Sequence, residues 1–94
     1  MPSSIASFSE FDHRLAAARM GIETLALQMP DDPELQSIKQ QLKCLHAWTR
    51  GGRKPLQEEK DQLNFGLLAS RFVSDLDDAL AGELYELASY VIYW

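Results

Sequence analysis

LNFGLLASRF, Leu63 to Phe72, has the apolar spacing of a buried helix yet carries a glycine, an alanine and a serine near its centre. Glycine inside a helix costs roughly 1 kcal/mol relative to alanine, so something must gain from the missing side chain. Either another helix crosses closely at Gly66, or the backbone approaches a ligand there. No phosphate-loop pattern surrounds the glycine, which favours flat spots at Gly66 and Ala69 for a helix crossing. Such a crossing requires a bundle, and the flanking sequence supplies one.

Upstream, Phe8, Phe11, Leu15, Ala18, Ile22, Leu25 and Met29 recur at alternating steps of three and four, the seam of an amphipathic helix. Ser9 with Asp12 three residues on resembles a capping box and places the helix start near Phe8 to Glu10. MPDDP stops this helix. Pro33 suits a first helical position behind Asp32 as cap, and Leu35, Ile38, Leu42, Leu45 and Trp48 give the second helix its stripe. Gly51 and Gly52 end it, leaving RGGRKP as the one clear loop.

Pro55 then opens a third helix, with Leu56, Leu63, Leu67 and Ser70 along one stripe and Phe65, Leu68 and Phe72 along a neighbouring one. Two apolar stripes predict contacts on two sides, hence a central position. SDLDD breaks the chain again, with Asp77 or Asp78 capping a fourth helix through Leu80, Leu84, Leu87 and Val91. YVIYW is β-prone in composition but continues the helical phase. The expected fold is therefore all-α: one domain over residues 1–94, a small antiparallel bundle of about four helices near 8–29, 33–50, 55–73 and 77–92.

A chain of 94 residues buries only about 60 to 65 % of its unfolded surface, so it supports one core with little surplus. Its 46 % apolar and 24 % charged residues are those of an ordinary globular protein and exclude disorder. A single cysteine, Cys44, allows no internal disulfide, and MPSSIASFSEFDHR has no basic segment followed by an apolar run. No span is long and apolar enough to cross a bilayer, so neither a membrane nor a secreted location is expected, and the cytoplasm is.

A net charge of −5 argues against nucleic acid as a partner. The charge is also segregated: Asp75 to Trp94 holds five acids and no Lys or Arg, while Lys39 to Lys60 holds six basic residues against two acidic. Catalytic sets are missing. His13 and His46 lack metal-ligand spacing, Cys44 has no partner that marks a nucleophile, and the carboxylates are spread as a solvated surface spreads them. No enzyme, metal or cofactor is expected.

On the fourth helix Ala79, Glu83, Glu86, Tyr90 and Tyr93 form one stripe roughly 90° from the leucine face. Acids interleaved with tyrosine suit a partner surface, because tyrosine combines a large apolar body with a polar tip. A solvated face whose tyrosines lie across the bundle edge has the same pattern. The candidate partner-binding residues are Asp75, Asp77, Asp78, Glu83, Glu86, Tyr90 and Tyr93. The exposed, charged loop RGGRKP is the other candidate.

PELQSIKQQLKCL, with Ser37 and Gln41-Leu42, followed by LNFGLLASRFVSDLDDALAGELYELASYV, resembles the small all-helical immunity proteins that neutralise NAD(P)+ glycohydrolase toxins of bacterial type VI secretion. The matching positions are Phe65, Gly66, Leu67, Leu68, Ala69 and Arg71, then Asp75 and Asp77, then Leu84, Tyr90 and Val91. Weaker similarity at Phe11, Arg14 and Leu15 extends over most of the chain. Phe72 stands where the family usually has an acidic residue, and Asp78 where a proline is common. The resemblance implies a protein inhibitor that binds a cognate toxin and covers its active site. A secretion chaperone, or a homodimeric helical module using the seam of the first helix, is the alternative.

Overall fold

The computed structural model describes residues 3–94, and their secondary structure is helical throughout, with no strand among them. Helix α1 is Phe8–Gln28. Its cap is Ser7, whose hydroxyl accepts from the Glu10 amide at 3.2 Å, two residues before the predicted Ser9. The S-x-x-E spacing at Ser7 to Glu10 competes with the Ser9 to Asp12 pair, and the start at Ser7 brings Phe8 into the first turn, where its ring meets Phe11 and Trp94. Phe11, Leu15, Ala18, Ile22 and Ala26 form the buried line, so the expected seam holds in its middle and drifts by one residue at its end, leaving Met29 exposed.

Helix α2 is Pro33–Trp48, with Asp32 accepting from the amides of both Glu34 and Leu35. Its stripe is as expected: Leu35, Ile38, Leu42 and Leu45 are fully buried, and Trp48 is half-buried. The short connection from Met29 to Asp32 folds α2 back on α1. At its other end Gly51 and Gly52 adopt φ of 73° and 88°, the left-handed backbone that stops the helix.

The expected third helix over 55–73 is not continuous. Leu56 caps a single turn, α3, Gln57–Lys60, in which the Glu59 carboxylate accepts from the Leu56 amide at 2.8 Å. The chain then turns, and α4, Phe65–Leu68, starts at Asn64 and runs directly into a wider turn, Ala69–Val73. In that turn the Ser74 amide donates to the carbonyl of Ala69, five residues back, at 3.1 Å. Phe65, Ala69 and Val73 face the core, while Leu56, Leu67 and Phe72 are exposed. The predicted contact on two sides holds, since this segment packs on both α2 and α5, but it leaves Leu56, Leu67 and Phe72 uncovered, and the segment is no more central than the other helices.

Helix α5, Asp78–Tyr93, is capped by Asp77, whose carboxylate accepts from the Leu80 amide at 3.0 Å. Leu84, Leu87 and Val91 are buried, and Leu80 lies over Gly21 of α1. Phe8 meets Trp94, Phe11 meets Tyr90 and Arg14 meets Glu83. Numbers that rise along α1 fall along α5, so these two helices run antiparallel. Each of α1, α2, α4 and α5 packs on two of the others, closing a small all-α bundle around one core.

Candidate functional site

The predicted acidic and aromatic stripe on α5 divides into two functions. Glu83 and Arg14 form a two-pronged ion pair, Nε to Oε1 at 2.5 Å and Nη2 to Oε2 at 3.0 Å, and the same guanidinium reaches Glu10 at 2.9 Å. The Glu83 hydrogen bond holds the Arg14 pKa above its ordinary value. Glu86 takes the N-terminal segment: its Oε2 accepts from the Ser4 amide and the Ser3 hydroxyl, both at 2.8 Å, and from the Ser4 hydroxyl at 3.2 Å. The amide bond first, then the Ser3 hydroxyl, holds the Glu86 carboxyl below its ordinary pKa.

Tyr90 is spent similarly. Its ring stacks on Phe11 at 4.9 Å and meets Trp94 at 5.2 Å, within an aromatic cluster completed by Phe8. Glu83, Glu86 and Tyr90 thus clamp α5 to α1 and to residues 3–5, of which Ile5 is buried. Asp75, Asp77 and Asp78 remain exposed around the turn before α5, and Tyr93 is 63 % exposed. None of the three aspartates is in an ion pair among the described residues.

The loop RGGRKP is ordered by its own chemistry. Arg53 Nη1 donates to the Trp48 carbonyl at 2.7 Å and to Glu59 Oε1 at 3.1 Å, tying the end of α2 to α3. Gly52 lies against the Phe8 ring, and Pro55 is buried. Arg50 and Lys54 stay exposed.

A second surface was not among the predicted sites. Between α4 and α5 runs a groove of about 390 Å³ whose floor includes Gly66 and Ala88 and whose walls include Leu67, Tyr85, Ile92 and Tyr93. Leu67 is 52 % exposed, Tyr85 53 % and Ile92 67 %, although each is large and apolar or aromatic. The signal in the sequence was the spacing Asp78, Gly82, Tyr85, Ser89, Ile92, a line on α5 outside both the leucine face and the acidic stripe. It is easily passed over because Leu67 reads as core.

The floor also answers what Gly66 is for. A Cβ built there would stand 2.8 Å from the Ala88 Cβ, closer than real Cβ contacts come. The glycine lets α4 and α5 cross closely, as the helix-crossing reading requires.

His13 is exposed on α1, and His46 and Cys44 are half-buried on α2, with Cys44 Sγ accepting from Gln40 at 3.6 Å. No group of three His, Cys, Asp or Glu among the described residues is placed to hold a metal ion. No helix of the described residues is long and apolar enough to cross a membrane.

Comparison with known proteins gives no match among curated proteins and none among solved structures. A family model does match. The model of the Tsi6 family aligns with residues 9–93, which takes in α1, α2, α4 and α5 with only the first residue of α1 outside. The chain therefore belongs to the Tsi6 family of small helical immunity proteins, which bind a cognate effector of bacterial type VI secretion.

Proposed function

We propose that this protein neutralises an NAD(P)+-consuming effector by covering its active site, and that the acidic end, Asp75 to Trp94, is the covering surface. The observation that carries this is the charge left free after folding. Arg14 pairs with Glu83 and the N-terminal serines occupy Glu86, so the exposed acids of this end that are in no ion pair among the described residues are Asp75, Asp77 and Asp78, with Asp77 also capping α5. A cleft that binds dinucleotide phosphates is basic, and an acidic surface steers toward it and competes with substrate for it.

In this function Asp75, Asp77 and Asp78 supply the field, and Tyr93 supplies apolar contact. Glu83, Glu86 and Tyr90 act one step back by fixing the shape of α5. The protein performs no chemistry. In this reading the chain meets the effector where the NAD(P)+ pool is, in the cytoplasm.

Occlusion makes a kinetic prediction. Saturating the effector with a non-hydrolysable NAD+ analogue should slow association of this chain in proportion to occupancy of the cleft. A ternary complex of chain, effector and analogue with unaltered kinetics would refute occlusion.

A further inference from the structure

We infer that the groove between α4 and α5 seats an apolar projection of the effector's catalytic domain, with Leu67, Tyr85 and Ile92 as anchors and the acidic turn meeting basic residues beside it. This rests on the effector-binding function proposed above and narrows it to one face of the molecule. Three features converge on that face.

The first is shape. Gly66 and Ala88 bring α4 and α5 so close that the floor is nearly side-chain-free, whereas Leu67, Tyr85, Ile92 and Tyr93 stand above it as walls. A small-residue floor between large apolar walls accepts a protruding side chain, and such pockets hold the anchoring residues of interfaces. Tyrosine is enriched there because one residue supplies both apolar area and a hydrogen bond.

The second is exposure. Leu35, Leu42, Leu45, Leu84 and Leu87 are fully buried, yet Leu67, Tyr85 and Ile92 are each more than half exposed within one groove. Scattered apolar residues on a surface need no explanation, but contiguous ones mark a binding face.

The third is charge. No charged side chain lines the groove. Asp78 begins the same helical line that continues through Tyr85 and Ile92, so this exposed acid lies on the groove's face about two helical turns beyond its Tyr85 end. This order, apolar seat with an acidic rim at one end, complements an apolar element beside a phosphate-binding cleft. A second copy of this chain fits less well, because it brings a net charge of −5 to an acidic rim.

The test uses the full chain and the host strain's NAD(P)+ glycohydrolase effector domain, with NAD+ hydrolysis and dissociation constants as readouts. Leu67→Glu and Tyr85→Ala should each weaken binding by about 30-fold or more and relieve inhibition, while the melting temperature stays at the parent value because both residues are exposed. Asp75→Asn with Asp78→Asn should slow association several-fold at low salt and lose that effect at high salt. Groove variants that bind and inhibit like the parent overturn the inference while leaving effector binding intact. If Leu67→Glu abolishes only self-association in sedimentation velocity, the groove belongs to a second copy and the inference falls. A parent chain that inhibits no such effector of its host overturns the proposed function and the groove assignment together.

Discussion

Exchanging the methyl group between Gly66 and Ala88 tests the helix crossing directly. The built Gly66 Cβ lies 2.8 Å from the Ala88 Cβ. Non-bonded carbons rest about 3.5 to 4.0 Å apart, so Gly66→Ala must push α4 and α5 apart by roughly 0.7 to 1.2 Å. Neither atom can rotate away, since each is bonded directly to backbone. Alanine offers at most about 1 kcal/mol of helix propensity, and less here because Gly66 is the second residue of α4. Overpacking costs about 1 to 3 kcal/mol. The net expectation is a loss of about 1 to 2 kcal/mol, which lowers the melting temperature by about 4 to 8 °C per kcal/mol in a domain this small. Ala88→Gly alone should cost about 1 kcal/mol through propensity. In the double variant the clash is gone and the propensity terms nearly cancel, so stability should return close to the parent, giving a coupling of about 2 kcal/mol. Urea titrations followed at 222 nm on all four proteins measure it. A Gly66→Ala variant as stable as the parent, or additive single effects, would refute the close crossing.

Two further expectations concern the clamp on α5. Arg14 and Glu83 are only about a quarter to a third exposed, with side-chain exposures of 24 % and 30 %, so Arg14→Ala should cost about 1 to 2 kcal/mol in thermal melts. Glu83→Lys, which sets two cations together, should cost more, and reversing both charges should recover part of the loss. Replacing Glu83 and Glu86 with lysine is thus not neutral for the fold, although both lie off the leucine face. Glu86 has a folded pKa below its unfolded value, so its tether on Ser3 and Ser4 is complete above the ordinary carboxylate range and is lost as pH falls through the depressed value. The protection factor of the Ser4 amide should drop across that acid window, whereas Glu86→Ala, which removes the acceptor, should show low protection at every pH; an acid-insensitive Ser4 amide in the parent would contradict the tether.

Helices α1, α2 and α5 were legible in the sequence because their local and global demands coincide. Asp32 and Asp77 cap, Gly51 and Gly52 stop, and Leu35, Ile38, Leu42 and Leu45 or Leu84, Leu87 and Val91 repeat with the helical period. The region between them was not, because its boundaries are set by residues outside it. Gln41 of α2 donates to the Asn64 side chain at 2.6 Å and accepts from the Asn64 amide at 2.7 Å, pinning the start of α4 where periodicity alone runs a helix straight through. Within the region, Arg53 of the preceding loop holds Glu59 in place for the separate turn of α3, a pairing that periodicity does not report.

The same division runs through the proposed binding surface. The order of residues alone determined that the last twenty residues are acidic, that Tyr93 shares a helical stripe with Glu83 and Glu86, and that Gly66 needed either a crossing helix or a ligand. Which acids remain free was decided by partners far along the chain, Arg14 opposite Glu83 and the Ser3–Ser4 segment opposite Glu86. Leu67 was decided the same way: packing on α2 and α5 buries Phe65, Ala69 and Val73 but leaves Leu67 exposed, so a residue with a core pattern became the wall of an open groove. A helical period reports which residues share a face, but only tertiary packing determines what covers that face.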